Sequence, residues 1–227
     1  MPTQSQQVVA VIGGTGAEGS GLSLRFARAG LHVLIGSRDQ AKAQSAATKI
    51  AEQAGKGQVT GHTNPDAVSM AAIVVLTVPL SAQVETLKSI RTSFASGAIL
   101  VDATVPLEIA IGGRLSRTIA LWDGSAAQQA ARLVPAGVRV VSTFHSLSAD
   151  GLMKLHQPLD CDALICGDNA EAKATVSELA AMIPGVRPID VGPLDQARFL
   201  ESSAALLISL NLRHKVKNCG MRITGLG

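Results

Sequence analysis

Aromatic side chains are scarce: the 227 residues contain no Tyr, one Trp and four Phe. Proteins that hold single-stranded nucleic acid stack its bases on aromatic rings, so that mode of binding is not expected. A basic face for duplex binding is missing too. Lys and Arg number 20 against 17 Asp and Glu, and the resulting charge of +3 is spread along the chain. Cysteine is rare. Cys161, Cys166 and Cys219 form no CxxC pair, and their odd number argues against a disulfide framework. They read as small buried hydrophobes of a reducing cytoplasm. Long apolar runs are absent as well. The run over residues 71–78 is too short to span a bilayer, and Met1 to Gln7 is polar and uncharged, unlike a secretory leader. His62, His156 and His214 lack ligand spacing and no HExxH occurs, so no metal site is expected.

What the sequence does have is an apolar fraction of 47%, enough for a packed core. Apolar bursts alternate with helical stretches. Strands are expected over residues 8–12, 31–35, 72–78 and 99–102, and helices over 17–29 and 39–54. A short helix is expected from Asn64, and another opened by Pro79 at a position that tolerates proline. Continuous apolar strands separated by helices imply a parallel sheet covered on both faces. The rhythm breaks after Asp102. Residues 103–122, with Pro106, Gly112 and Gly113, read as a long loop of the kind that often carries function. A helix (125–133), a strand (138–142), a loop with His145, a strand (163–166), a helix (170–182), a strand (187–191) and a last helix (195–215) follow. The fold class is α/β: a Rossmann-type, doubly wound parallel sheet with a smaller C-terminal α/β part. The expected division is 1–144 for the dinucleotide-binding part and 145–227 for the remainder, with the boundary near Phe144.

The strongest local signal follows the first strand. Gly14-Thr15-Gly16-Ala17-Glu18-Gly19 fits G-x-G-x-x-G directly after a strand and before a helix. The glycines allow a tight turn, close approach of backbone to a pyrophosphate, and close helix–strand packing. The helix N-terminus then presents free N–H groups to phosphate. The end of the second strand selects the dinucleotide. An acidic side chain there would bond the ribose 2′-hydroxyl of NAD, but this chain reads Gly36-Ser37-Arg38-Asp39, with Lys42 one turn on. A guanidinium and the hydroxyls of Thr15 and Ser37 suit a 2′-phosphate, which makes NADP(H) the expected dinucleotide. Asp39 is expected to cap the second helix.

Ligands of doubly wound sheets sit beyond the carboxyl ends of the strands. Three segments reach that edge: Leu76-Thr77-Val78-Pro79-Leu80, Ala103-Thr104-Val105-Pro106-Leu107 and Thr143-Phe144-His145-Ser146-Leu147. They are apolar with a few small hydroxyls and suit a flat ring. They carry no Ser–His–Asp order and no carboxylate pair, and hydride transfer needs neither, because the cofactor supplies the chemistry. His145 could orient a ring or donate to a ring carbonyl, or it could be a satisfied histidine at a strand end.

At this point the chain resembles the coenzyme-F420-dependent NADP oxidoreductases. The resemblance rests on Ile12-Gly13-Gly14-Thr15-Gly16, Gly36-Ser37-Arg38, Val75-Leu76-Thr77-Val78-Pro79, Val105-Pro106, Val141-Ser142 with His145, and Cys166-Gly167-Asp168. It extends through the run from Gly185 to Leu194, and through Arg198 and Glu201-Ser202. The glycine turn alone would match many dehydrogenases, whereas the C-terminal run with Cys-Gly-Asp is far more specific. The resemblance implies an enzyme that carries hydride between the nicotinamide C4 of NADP(H) and the C5 of the deazaflavin coenzyme F420. It implies that Thr15, Ser37, Arg38 and Lys42 hold the 2′-phosphate and that Thr77, Val78 and Pro79 lie by the ribose and nicotinamide. Thr104, Val105, Pro106 and His145 would line the deazaflavin side, with Gly192, Pro193 and Leu194 closing the pocket and the last helix packing in a homodimer. The same architecture also serves reductases of flavins or of small carbonyl and imine substrates. A nucleotide sensor without turnover is the reading of a different class.

Overall fold

The computed structural model describes residues 7–226; the N-terminal segment read above as unlike a leader lies almost wholly outside the described residues. In chain order the elements are β1 (Val8–Ile12), α1 (Ala17–Arg28), β2 (His32–Ser37), α2 (Gln40–Ala54), β3 (Gln58–Thr63), α3 (Asn64–Ser69), β4 (Ile73–Leu76) and α4 (Leu80–Ile90). Then come β5 (Ile99–Asp102), α5 (Ala126–Leu133), β6 (Arg139–Ser142), α6 (Ala149–Leu152), β7 (Cys161–Gly167), α7 (Ala170–Ala181), β8 (Val186–Asp190) and α8 (Ala197–His214). The strands form one eight-stranded sheet in the order β3-β2-β1-β4-β5-β6-β7-β8. Every neighbouring pair is parallel except β6 and β7, which run antiparallel and meet only at Val141–Gly167 and Ser142–Cys166. The expected doubly wound sheet is present, with this antiparallel joint as the departure.

Alternation along the strands splits the core into two layers. Val9, Val11, Val33, Ile35, Val75 and Val101 face one way and pack with Leu22, Phe26, Ala43 and Ala47 of α1 and α2. Ala10, Ile12, Leu34, Val74, Leu76 and Leu100 face the other way, against Leu87 and Ile90 of α4, Ala127 and Ala130 of α5 and Leu200 of α8. Helices on both faces explain why these strands read as unbroken apolar runs.

Several boundaries differ from expectation. β3 was not foreseen, because Gln58-Val59-Thr60-Gly61-His62-Thr63 is polar. It pairs only with β2 at the sheet edge, where one side meets solvent. β4 ends at Leu76, short of the expected 78, which frees Thr77 and Val78 for the loop beyond the sheet. The stretch 103–122 holds a 3-10 turn (Glu108–Ile111) and a bridge between Leu107 and Thr118. Among the described residues no helix is long and apolar enough to cross a membrane.

Candidate active site

Sheet order reverses between β1 and β4, and at such a switch point the loops leaving the strand ends diverge and open a crevice. The turn after β1 fills one side of it. Gly13 has φ +84°, a conformation that favours glycine, so the tight bend falls one residue before the G-x-G-x-x-G run. Gly19 is needed for room: a Cβ there would lie 2.5 Å from Thr77 Oγ1 and 2.6 Å from the Gly13 carbonyl. Ser20 Oγ donates to the Gly14 carbonyl at 2.9 Å and Thr77 Oγ1 to the Ile12 carbonyl at 3.0 Å, which fixes the turn from both sides. Gly16 is the N-cap of α1 and adds no side chain in front of the free N–H groups.

Beyond this turn lies a cleft of about 200 Å³ lined by Gly13, Thr15, Gly16, Gly36, Ser37, Arg38, Asn64, Thr77, Val78 and Pro79, among others. The three strand ends thus bring the phosphate turn, the 2′-phosphate candidates and the nicotinamide candidates to one wall. Ser37 Oγ accepts from the Asp39 N–H at 3.2 Å, and Asp39 in turn accepts from the Lys42 N–H at 3.2 Å as the N-cap of α2. Asp39 therefore caps its helix. Arg38 is exposed and makes no hydrogen bond or ion pair within the described residues, so its guanidinium is free at the mouth of the cleft. Lys42 lies outside the lining, exposed and 3.9 Å from Asp39.

A second cavity, about 290 Å³, opens where β5 and β6 end. Glu18, Val105, Leu107, His145, Leu147, Ala204 and Leu207 line it, with Asp150, Lys217 and Cys219 also in its wall. The chain enters it through Phe144, a residue with φ +76° whose ring is fully buried against Phe26, centroids 6.1 Å apart. A left-handed conformation at a non-glycine residue costs on the order of 1 kcal/mol and is kept only where packing over-determines it. Here it turns His145 into the cavity. His145 is buried, and desolvation pulls its pKa down to about 4 against the opposing effect of the Thr104 carbonyl, so the ring is neutral near pH 7. Glu18, from the first turn of α1, is the second titratable side chain facing this apolar wall. Its Oε1 is buried without a hydrogen-bond partner, and burial raises its pKa to about 8.

Comparison with known proteins gives this geometry a context. Residues 8–106 match the family model described as "NADP oxidoreductase coenzyme F420-dependent". The chain is 50% identical over 221 residues to the F420-dependent NADP reductase of Methanothermobacter thermautotrophicus, covering 96% of this chain and 95% of that protein. It is 39% identical to the enzyme of the same name from Methanocaldococcus jannaschii, over 96% of this chain and 98% of that one. The chain belongs to the F420-dependent NADP reductase family. A solved structure titled as a putative F420-dependent NADP reductase, from an Arthrobacter species, shares the fold with a TM-score of 0.80. At 24% identity it covers 95% of this chain and 98% of its own.

Within this reductase fold three further residues shape the site, and the sequence reading gave them no role. Asp102, fully buried at the end of β5, accepts from the Thr104 N–H at 2.6 Å and from Gln83 Nε2 at 2.7 Å. It sets the path of the loop carrying Thr104, Val105 and Pro106. Burial, opposed by these bonds, raises its pKa to about 6. Gln83 also donates to the Ala126 carbonyl at 3.1 Å. Glu201 of α8, also buried, accepts from the N–H groups of Ala126 and Ala127 at 3.0 Å each. An acid closing an apolar strand run, Ile99-Leu100-Val101-Asp102, was a readable signal for Asp102. Glu201 stood among the residues of the family resemblance, but its capping role was not readable because its partners lie some 75 residues away.

The remaining expected site residues separate. Thr104 and Pro106 are buried behind Val105. Pro193 and Leu194 line a different, open groove with Asp123, Arg132, Asp168 and Asp195, and Leu194 donates its N–H to Asp168 at 2.9 Å. Gly192 lies beside them, its carbonyl accepting from Gly167 N–H. Ala17 is exposed on the first turn of α1, while Glu18, counted with the phosphate turn, faces the second cavity.

Proposed function

We propose that the chain transfers hydride between NADP(H), held in the cleft at the switch point, and the deazaflavin F420, held in the cavity around His145. The observation that carries the dinucleotide half is the unpaired Arg38 guanidinium beside Ser37 and Thr15, at a strand end with no competing acid facing the cleft. A 2′-phosphate supplies the bidentate acceptor that this guanidinium lacks. Gly13 and Gly19 fit the same reading, since the cradle they leave would be filled by any Cβ. Lys42 adds a second cation from the first turn of α2, its contact with Asp39 too loose to hold it. Thr77, Val78 and Pro79 would flank the ribose and nicotinamide.

The dinucleotide supplies the electron pair, and the protein's part is placement and exclusion of water. Val105, Leu107, Leu147 and Leu207 give the second cavity an apolar wall against which a flat ring packs. His145, neutral and buried, orients that ring. The division into a dinucleotide-binding part (1–144) and a part that completes the second cavity (145–227) belongs to this reading. So does a homodimer through α8, on which Phe199, Leu206 and Leu212 are exposed. A cytoplasmic location matches unpaired cysteines and an intracellular coenzyme pair.

The test mixes purified protein with NADPH and oxidised F420 and follows the deazaflavin absorbance. Bleaching is expected, and its absence removes F420 as the acceptor. Arg38→Ala should weaken NADPH by ~10-fold or more while NADH is little changed, because a charge-assisted bidentate contact contributes about 1.5–3 kcal/mol. Equal losses for both nucleotides would remove the 2′-phosphate assignment.

A further inference from the structure

Reduction of a conjugated ring by hydride requires a proton as well as an electron pair, and the second cavity contains one side chain built to supply it. We propose that Glu18 is the catalytic acid that protonates the acceptor ring as hydride arrives, and the base that removes this proton in the reverse direction. The proposal rests on the hydride-transfer reading above and adds the residue that completes its stoichiometry.

Glu18 occupies the first turn of α1 and lines the second cavity, two residues after the N-cap Gly16, which lines the dinucleotide cleft. Its Oε1 is buried in the wall that carries Val105, Leu107 and His145 and has no hydrogen-bond donor among the described residues. A buried, unpaired carboxylate is costly, whereas the protonated acid can donate to a ligand that enters the cavity. The other titratable or charged groups in that cavity are His145, Asp150, Lys217 and Cys219. Asp150 is engaged by Lys154 at 2.6 Å, and Lys217 is exposed at the rim. His145, neutral in the relevant range, is a poor acid. Arg25, further along α1, donates its guanidinium to the Gly151 and Leu152 carbonyls at the end of α6. Among the described residues no cation lies against Glu18 to hold it ionised, and desolvation places its titration near pH 8, close to the optimum for proton transfer in both directions.

The balance is NADPH plus oxidised F420 plus one proton giving NADP⁺ and reduced F420. The nicotinamide C4–H bond breaks with its electron pair and a C–H bond forms at the deazaflavin C5. The displaced ring electrons reach a ring nitrogen, the O–H bond of Glu18 breaks, and an N–H bond forms there. Water reprotonates the Glu18 carboxylate.

Two measurements test this. Carboxyl carbon-13 NMR of the protein without ligands, with Glu18 assigned by its loss in Glu18→Gln, should show a titration near pH 8; a midpoint near the ordinary glutamate value of about 4.3 would overturn the proposal. In single-turnover reduction of F420 at saturating NADPH, the wild-type rate should fall roughly tenfold per pH unit above that midpoint. Glu18→Gln should be slower by at least ~100-fold and lose this limb, with NADPH affinity retained. A Glu18→Gln variant that keeps the wild-type rate, or one that slows but keeps the limb, overturns the role. If the variant does not fold, a wild-type rate independent of pH from 7 to 10 overturns it as well. A wild-type protein inert toward F420 under every condition would instead remove the acceptor assignment, and this role with it.

Discussion

Inside α1, Arg25 ends among main-chain carbonyls instead of at a carboxylate. Its Nε donates to Leu152 at 2.8 Å, and Nη2 reaches the carbonyls of Gly151, Lys154 and Gln157 at 2.7–2.9 Å. The side chain is 2% exposed, so desolvation lowers its pKa, yet four acceptors keep the cation bonded. It fastens α6, whose Ala149 and Asp150 border the second cavity, and the segment after it to the helix that opens the dinucleotide cleft. Arg25→Met would preserve volume and strand those carbonyls. The expected loss is about 3 kcal/mol of stability, read from urea denaturation, with a lower F420 affinity. Close packing matters equally at Gly19, where Gly19→Ala would drive a methyl group into Thr77 Oγ1 and the Gly13 carbonyl. Overpacking of that kind costs about 1–3 kcal/mol. The turn would shift, and calorimetry should show NADPH binding weakened beyond detection while the fold persists.

At the scale of elements, α5 illustrates how a helix end can depend on a distant one. Ser125 caps it by accepting from the Gln128 N–H, and the two carboxylate oxygens of Glu201 take the N–H groups of Ala126 and Ala127. Three of the four orphan donors are thereby satisfied. Burial nonetheless raises the Glu201 pKa to about 8, against those two bonds and with the buried Asp102 adding to the rise. A carboxyl whose folded pKa exceeds its unfolded value binds more protons when folded. Its contribution to stability is present below its ordinary pKa and is lost as pH rises through about 8. Glu18 acts with the same sign over the same range. Scanning calorimetry should therefore show Tm falling as pH rises from about 7 to about 8 and levelling above that, and Glu201→Gln should flatten part of that slope. His145 has the opposite sign, but its contribution is lost only as pH drops below about 6.5 toward 4, so the alkaline window isolates the carboxyls.

Across the whole molecule, the C-terminal segment straps the distal strands. Asp162, fully buried at the start of β7, accepts from Arg187 through both oxygens at 2.9 Å, from Arg222 at 2.8 Å and from the Ile223 N–H at 2.6 Å. The Arg187 bonds lead in holding its carboxyl far below the usual range, despite desolvation. The Met221 carbonyl accepts from the Asp162 N–H, which ties the tail to the part of β7 that β6 leaves unpaired. The same tail brings Lys217 and Cys219 to the rim of the second cavity. Asp162→Asn would leave two guanidiniums facing a neutral amide. A loss of about 3 kcal/mol is expected, along with proteolytic release of the tail, which limited digestion and mass spectrometry would detect.

The sequence by itself determined the alternation of apolar strands and helices, the phosphate turn and the cation at the end of β2. Each is a local matter: a glycine fingerprint follows from what the backbone can adopt, and Arg38 from what a neighbouring phosphate would tolerate. β3 escaped because an edge strand with one paired side need not be apolar, and the bend of the phosphate turn moved to Gly13 because φ is set by the loop it must join. The gathering of Glu18 and His145 into one cavity, the capping of α5 by Glu201 and the exclusion of Pro193 and Leu194 from that cavity were decided only by the tertiary structure. Those outcomes depend on desolvation and on contacts between residues far apart in the chain, and neither quantity exists until the sheet has closed around them.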